Sequence, residues 1–288
     1  MIGKRIALTV RHSLSGKLKG EFFEILVLLK KLGKDVFLCP LAKKLVKNSP
    51  EFSGLAKLSE HSEISELGLD LFIFFGGDGT LLRTVNTYAP EIFDIPLFGI
   101  NAGNLGFFSS VTPENMKRGF EDVFSGKYTQ DERMILEIEI SGKTTYALNE
   151  AVIHHNKIAR LRKISVKISG EFLTEYKADG LIIATPTGST AYNLSAGGPI
   201  VAVQMDAFII TPLAPSGFSQ RPIVIPPQKI LEFSVDGDML LSFDGQEYFP
   251  IAEDDVITIS HHTKKLSFLR LKNESYYQNI REKLGWGL

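Results

Sequence analysis

Residues 71–80 read LFIFFGGDGT. Five apolar side chains in a row run straight into two glycines, an aspartate, a third glycine and a threonine. The apolar run reads as a strand covered on both faces, as in a sheet with helices on either side. Glycine and aspartate both suit a tight turn. The same residues also suit a phosphate site, because glycine lets the backbone approach a ligand, and the N–H groups of the turn and of a helix expected to start near Thr80 then face the anion.

Outward from this stretch, the first third of the chain alternates strand and helix signals. Residues 4–10 (KRIALTV) read as a strand. Residues 19–32 read as a helix, with Phe22, Leu26, Leu29 and Leu32 at helical spacing and Gly33 as its stop. Residues 35–38, 69–75 and 96–100 are three further strands. This is the pattern of a doubly wound α/β sheet, whose ligands sit off the carboxyl ends of the strands, where GGDGT lies. A helix is expected to open at Thr112, with Pro113 in its first turn and Gly126 past its end. Beyond that point short strands separated by turn residues dominate, which reads as a β-rich, sandwich-like second domain. The expected organisation is an α/β domain over 1–125, a β-rich domain over 126–270, and a helical tail over 271–288 returning to the first domain.

The chain has 288 residues, a 44% apolar fraction, a 23% charged fraction and a formal net charge of −1. Nothing here suggests nucleic-acid binding, which shows as a basic excess. Cys39 is the one cysteine, so no disulfide can form within the chain and a cytoplasmic location is expected. MIGKRIALTV lacks the apolar core of a signal peptide and reads as a first strand. No stretch approaches ~18 uninterrupted apolar residues, so no membrane span is expected.

The glycine loop is not a Walker loop: no G-x-x-x-x-G-K-[ST] is present, and Leu82 stands where a G-x-G-x-x-G starting here would need its last glycine. A carboxylate among phosphates is unfavourable if only binding is required. It makes sense if Asp78 accepts a proton from an attacking hydroxyl, orients that hydroxyl, or helps to hold Mg²⁺. The loop therefore points to phosphoryl transfer to an alcohol. Asn149-Glu150 reads either as polar residues at a sheet edge or as a pair that matches a base edge and ribose hydroxyls. Residues 178–199 (ADGLIIATPTGSTAYNLSAGGP) place a hydroxyl-rich loop after an apolar strand. Buried hydroxyls need partners, which favours a lined polar pocket with Ser189 or Thr190 capping a short helix. His154-His155 and His261-His262 lack the spacing of a zinc site. There is no G-x-S-x-G for a serine hydrolase, and Cys39 reads as a buried apolar residue rather than a nucleophile.

GGDG loops of this kind occur in NAD kinases, in lipid kinases of the diacylglycerol and sphingosine type, and in phosphofructokinases. Taken with Asn149-Glu150, the 178–199 stretch, INAGNLGF at 100–107, SFDGQE and the SYYQNIREKLGWG tail, the chain resembles the bacterial type of the NAD kinase family. A lipid kinase would need an apolar slot for acyl chains, and a mere dinucleotide sensor would gain nothing from Asp78. The resemblance implies transfer of a phosphoryl group from ATP, or from polyphosphate, to the adenosine 2′-hydroxyl of NAD. It implies Asp78 as the base or orienting carboxylate, with Gly76, Gly77 and Gly79 open to phosphates and Arg83 one turn on. Asn149 and Glu150 would hold the adenosine. Thr187, Thr190, Ala191, Tyr192 and Ser195 would form the adenine and ribose pocket, with Asp179 on the nicotinamide side. Arg160, Lys177 and Gln246 would make further dinucleotide contacts. Mg²⁺ would arrive with the donor phosphates, and a homo-oligomer, dimer or tetramer, is expected.

Overall fold

The computed structural model describes residues 2–14, 16–58, 64–103, 106–155, 162–217, 219–271 and 276–285. The chain divides into two compact units, Met1–Glu132 with Leu266–Leu288, and Arg133–Lys265.

The first unit is built on a seven-stranded sheet, in the order Lys57–Leu58, Asp35–Leu38, Arg5–Val10, Leu71–Phe75, Leu97–Ile100, Leu266–Leu271, Tyr128–Arg133. All five residues of Leu71–Phe75 are buried, and their alternation explains why all can be apolar. Leu71, Ile73 and Phe75 pack in one core with Phe22, Leu26 and Leu29 of the helix Lys17–Lys31. The Phe72 ring instead meets Tyr88 of the helix Asp78–Tyr88, centroids 5.6 Å apart. Helices therefore cover both faces of the sheet. Arg5–Val10 pairs in parallel with Asp35–Leu38 on one side and with Leu71–Phe75 on the other. The chain winds away in both directions from this strand, and such a reversal opens a crevice off the carboxyl ends.

The helix expected at Thr112 begins instead as a tighter 3₁₀ turn, Pro113–Asn115, before the α-helix Met116–Phe124. Gly126 follows with φ 78°, the left-handed conformation that a stop needs. Leu266–Leu271 returns to lie parallel to Leu97–Ile100, and the helix Tyr276–Leu284 follows it within this unit, with Ile280 buried.

The second unit holds two six-stranded sheets. One runs Glu171–Ala178, Arg162–Ile168, Leu231–Val235, Ile257–His261, Leu136–Ile140, Lys143–Ala147; the other runs Ile223–Ile225, Phe208–Leu213, Gly180–Ala184, Glu150–His154, Met239–Phe243, Glu247–Ile251. The strand pairs within them are antiparallel. Alternate residues from both sheets, such as Ile138, Val166, Phe233, Ile183, Phe208 and Phe243, share one core, which makes this unit a sandwich. Val152, Ile182 and Ile209 face the other way and pack with Val201 from the segment after the hydroxyl loop. That cover explains why Gly180–Ala184 is buried throughout. Among the described residues no helix is long and apolar enough to cross a membrane.

Candidate active site

At the end of Leu71–Phe75 the chain turns sharply. Gly77 is extended at φ −92° and ψ −171°, and the helix starts at Asp78 itself, two residues before the start expected near Thr80. Asp78 thus occupies the first turn, where a negative charge is favoured by the helix dipole. Its carboxylate makes no cap to its own helix. It turns to a neighbouring loop instead: Oδ2 accepts the Phe107 N–H at 2.9 Å and Oδ1 the Phe108 N–H at 3.3 Å. The glycines around it divide by function. A Cβ on Gly106 would lie 2.3 Å from Asp78 Oδ1, and one on Gly76 would lie 2.1 Å from Thr80 Oγ1. These two are glycines because there is no room. A Cβ on Gly77 or Gly79 would meet nothing within 4 Å, so there the backbone is left open.

That opening is a cavity of about 320 Å³ lined by Gly77, Gly79, Thr80, Arg83, Asn101, Ala102, Gly103 and the Arg11-His12-Ser13 segment at the end of Arg5–Val10. It lies off the carboxyl ends of the parallel strands Arg5–Val10, Leu71–Phe75 and Leu97–Ile100. Arg11, Arg83 and the N-terminus of the helix Asp78–Tyr88 all border it, an arrangement suited to an anion. Asn101 donates Nδ2 to the Gly103 carbonyl at 3.0 Å, while its buried Oδ1 has no partner among the described residues. Arg11, His12 and Asn101 were not singled out from the sequence. The available signal was their place just past strands that flank the GGDGT strand. A second cavity of about 240 Å³ also has His12, Thr80 and Arg83 in its lining, and adds Val10, Cys39, Pro40, Leu41 and Tyr88. Burial pushes the Cys39 thiol up to about 12, which leaves it without nucleophilic character.

In the second unit the Asn149-Glu150 turn is held from below by Asp244. Asp244 Oδ2 accepts the Leu148 N–H at 2.8 Å, and Oδ1 accepts those of Asn149 and Glu150 at 2.8 and 3.0 Å. Burial pushes the Asp244 carboxyl up to about 6, against the pull of these three donors. Burial, and then the charge of Asp244, push Glu150 up to about 8. Glu150 Oε2 is buried without a partner among the described residues. A buried polar atom left so asks for a ligand. Asp244 was read only as the residue ahead of Gln246. Its positive φ of 48°, with Gly245 at 63°, marks the Asp-Gly turn that aims it.

The hydroxyl loop lies against this turn. The Asn149 carbonyl accepts the Thr185 N–H at 2.8 Å, and Thr185 Oγ1 donates to the Leu148 carbonyl at 2.6 Å. A Cβ on Gly188 would fall 2.1 Å from the Asn149 carbonyl oxygen, so only glycine permits the approach. The expected capping role fails: Ala191 is the N-cap of the short helix Tyr192–Ser195, with no side-chain bond. Ser189, fully buried, donates to the Pro186 carbonyl and accepts the Val201 N–H at 3.1 Å. Thr187 Oγ1 accepts Arg133 Nη1 at 3.4 Å. The buried hydroxyls thus brace the loop more than they line a pocket. Thr190 and Ala191 are half-buried, and Tyr192 and Ser195 are exposed. Gln246 is half-buried and donates Nε2 to the Asp244 carbonyl at 3.3 Å. Asp179 and Lys177 lie exposed at the far end of Gly180–Ala184 from this loop. Asp179 Oδ1 stands 3.2 Å from His155 Nε2. Arg160 lies outside the described residues. His262 sits 3.5 Å from Glu137, and among the described residues no three His, Cys, Asp or Glu cluster as metal ligands.

Family models for the ATP-NAD kinase N-terminal domain and C-terminal domain match residues 30–128 and 148–271. The chain belongs to the NAD kinase family. An NAD kinase of Pseudomonas entomophila (strain L48) is 40% identical over 227 residues, 76% of each chain. One from Azotobacter vinelandii is 36% identical over 240 residues, 80% of each. Among solved structures, yeast NADH kinase complexed with NADH is 26% identical with a TM-score of 0.88, covering 99% of this chain and 88% of that one. An NAD kinase from Archaeoglobus fulgidus in complex with ATP is 26% identical with a TM-score of 0.77, covering 98% of both. The enzymatic activity of this family member is that of an NAD kinase, a phosphotransferase.

Proposed function

We propose that the enzyme transfers the terminal phosphoryl group of ATP to the adenosine 2′-hydroxyl of NAD, with Asp78 as the base or orienting group for that hydroxyl. The observation that carries this is the carboxylate of Asp78, fixed by two backbone N–H groups, on the residue between Gly77 and Gly79, which line an arginine-bearing cavity. The donor phosphates would lie over Gly77 to Thr80, where the helix N-terminus, Arg11 and Arg83 oppose their charge. The 2′-oxygen then bonds to the γ-phosphorus, the bond from that phosphorus to the β,γ-bridging oxygen breaks, ADP leaves, and Asp78 takes the hydroxyl proton.

The neighbouring apolar cavity gives the base of a nucleotide donor a place to bury, which supports ATP over polyphosphate. A divalent cation fits as the donor's companion. It is hard and oxygen-seeking, and phosphates supply what the described residues do not gather into a cluster. When bound, Mg²⁺ neutralises charge on the donor.

Asn149, Glu150, Gln246 and the 187–195 loop would hold the adenosine half of NAD, with Asp179 and Lys177 toward the nicotinamide half. The five-residue strand Gly180–Ala184 separates these groups by about 15 Å, a span that an extended ligand can bridge. With its carboxyl at about 8, Glu150 is largely protonated at neutral pH. It can therefore donate a hydrogen bond to a ribose oxygen as well as accept one.

The test is a coupled assay for NADP from NAD, ATP and Mg²⁺. NADP formation is expected. Tight NAD binding with no NADP under any phosphoryl donor would make the protein a dinucleotide sensor instead.

A further inference from the structure

The helix Tyr276–Leu284 brings one side chain to the Asp78 loop that the reaction above does not use. Lys283 places its Nζ 3.7 Å from the centroid of the Phe107 ring. Phe107 is the residue whose N–H holds Asp78 Oδ2 and whose carbonyl accepts Arg270 Nη2 at 2.7 Å. The Lys283 amine is buried and has no hydrogen-bond partner among the described residues.

An ammonium carries three donors, and burying it unpartnered is costly. An apolar side chain would fill the same space more cheaply. What offsets the cost here is the face of Phe107 and the charge of Asp78. Burial lowers the amine to about 8, Asp78 pulls it upward, and Arg270 pushes it down. The charged groups facing it are thus Asp78 from the helix Asp78–Tyr88 and Arg270 from the strand Leu266–Leu271. Arg270 is itself paired through Nε with Asp131 at 3.1 Å. The loop carrying Asp78's two N–H donors is therefore gripped from three sides: by the carboxylate, by Arg270 on its carbonyl, and by Lys283 on its ring.

We propose that Lys283 is a positioning residue for phosphoryl transfer, pinning Phe107 so that the Phe107 and Phe108 N–H groups keep the Asp78 carboxylate aimed. It acts through Phe107 and touches no substrate. The inference rests on the reaction proposed above.

The experiment compares wild type with Lys283→Met, Lys283→Arg and Arg281→Ala, an exposed control on the same helix. Amide hydrogen exchange at Phe107 and Phe108 is read beside kcat and the KM for NAD. Lys283→Met is expected to speed exchange at both amides by about tenfold or more. It should lower kcat by about tenfold with KM for NAD within about twofold. Lys283→Arg should restore most of both, and Arg281→Ala should change neither. Unchanged exchange in Lys283→Met, or fast exchange with an unchanged kcat, overturns the proposal. So does a loss that appears equally in kcat, KM and thermal stability and that arginine does not rescue, since that is packing alone. Wild type that forms no NADP would refute the reaction rather than this assignment.

Discussion

Asp78 in the first unit and Glu150 in the second are both acids beside a glycine-bounded turn, yet the chain surrounds them differently. Asp78 is half-buried between two glycines that line a cavity, and both its oxygens accept backbone N–H donors. Glu150 is buried with one oxygen unpartnered among the described residues, next to a second carboxylate that itself holds the turn. The first arrangement fixes a carboxylate where a reacting group can reach it. The second hides a carboxyl, raises its proton affinity and leaves a hydrogen-bonding position open for a ligand. On the proposed function chemistry falls to one unit and recognition to the other, and that division can be broken at several points.

The largest effect is expected at Asp78. Asp78→Asn keeps the shape but cannot accept the proton, so kcat should fall by about 10²-fold or more, read in the coupled NADP assay. Turnover within a few-fold of wild type would remove Asp78 from the chemistry.

Next is the fit between the two segments of the recognition turn. Gly188→Ala drives a Cβ to 2.1 Å from the Asn149 carbonyl oxygen. A backbone neighbour cannot yield easily, so about 1–3 kcal/mol of stability should be lost in urea unfolding. An unchanged midpoint would mean that the turn and the hydroxyl loop do not need their close approach.

A third test uses pH. Folding raises the Glu150 carboxyl from 4.5 to about 8. The folded state therefore holds this proton more tightly, and the group's stabilising contribution is full below pH 4.5 and lost as pH rises to about 8. Glu150→Gln cannot ionise and escapes that loss. Relative to wild type, the ligand-free variant should gain up to about 4 kcal/mol between pH 5 and pH 8.5. A difference that does not change with pH would show that Glu150 is not held in a buried, proton-retaining site. The smallest effect is expected at Arg83, which on the proposed function is one of several cationic and N–H donors to the phosphates. Arg83→Ala should raise the KM for ATP by about three- to tenfold, and no change would place it outside the donor site.

The sequence shows the strand-and-loop frame of this site clearly and its supports poorly. The buried run before Gly76, the glycine-flanked carboxylate and the strand-rich second half are local signals, because burial on both faces and tight turns each leave a short pattern. The helix start at Asp78 is two residues off because Gly77, extended rather than turned, already serves as the cap. Ser189 looks like a cap in sequence, yet its hydroxyl is taken by Pro186 and Val201, a partner twelve residues on. Asp244 and Lys283 act on turns far away in the chain, at Leu148–Glu150 and at Phe107. Such pairings depend on which strands and helices become neighbours, which no local pattern records. Arg11, His12 and Asn101 become visible only once the parallel order around Arg5–Val10 puts their strand ends together.

The division between reacting and recognising acids is tested most directly by affinity. NAD titrated calorimetrically into Asp78→Asn and into Glu150→Ala should bind the first within about threefold of wild type and the second about tenfold or more weakly. Equal weakening in both variants, or weakening only in Asp78→Asn, would contradict the account.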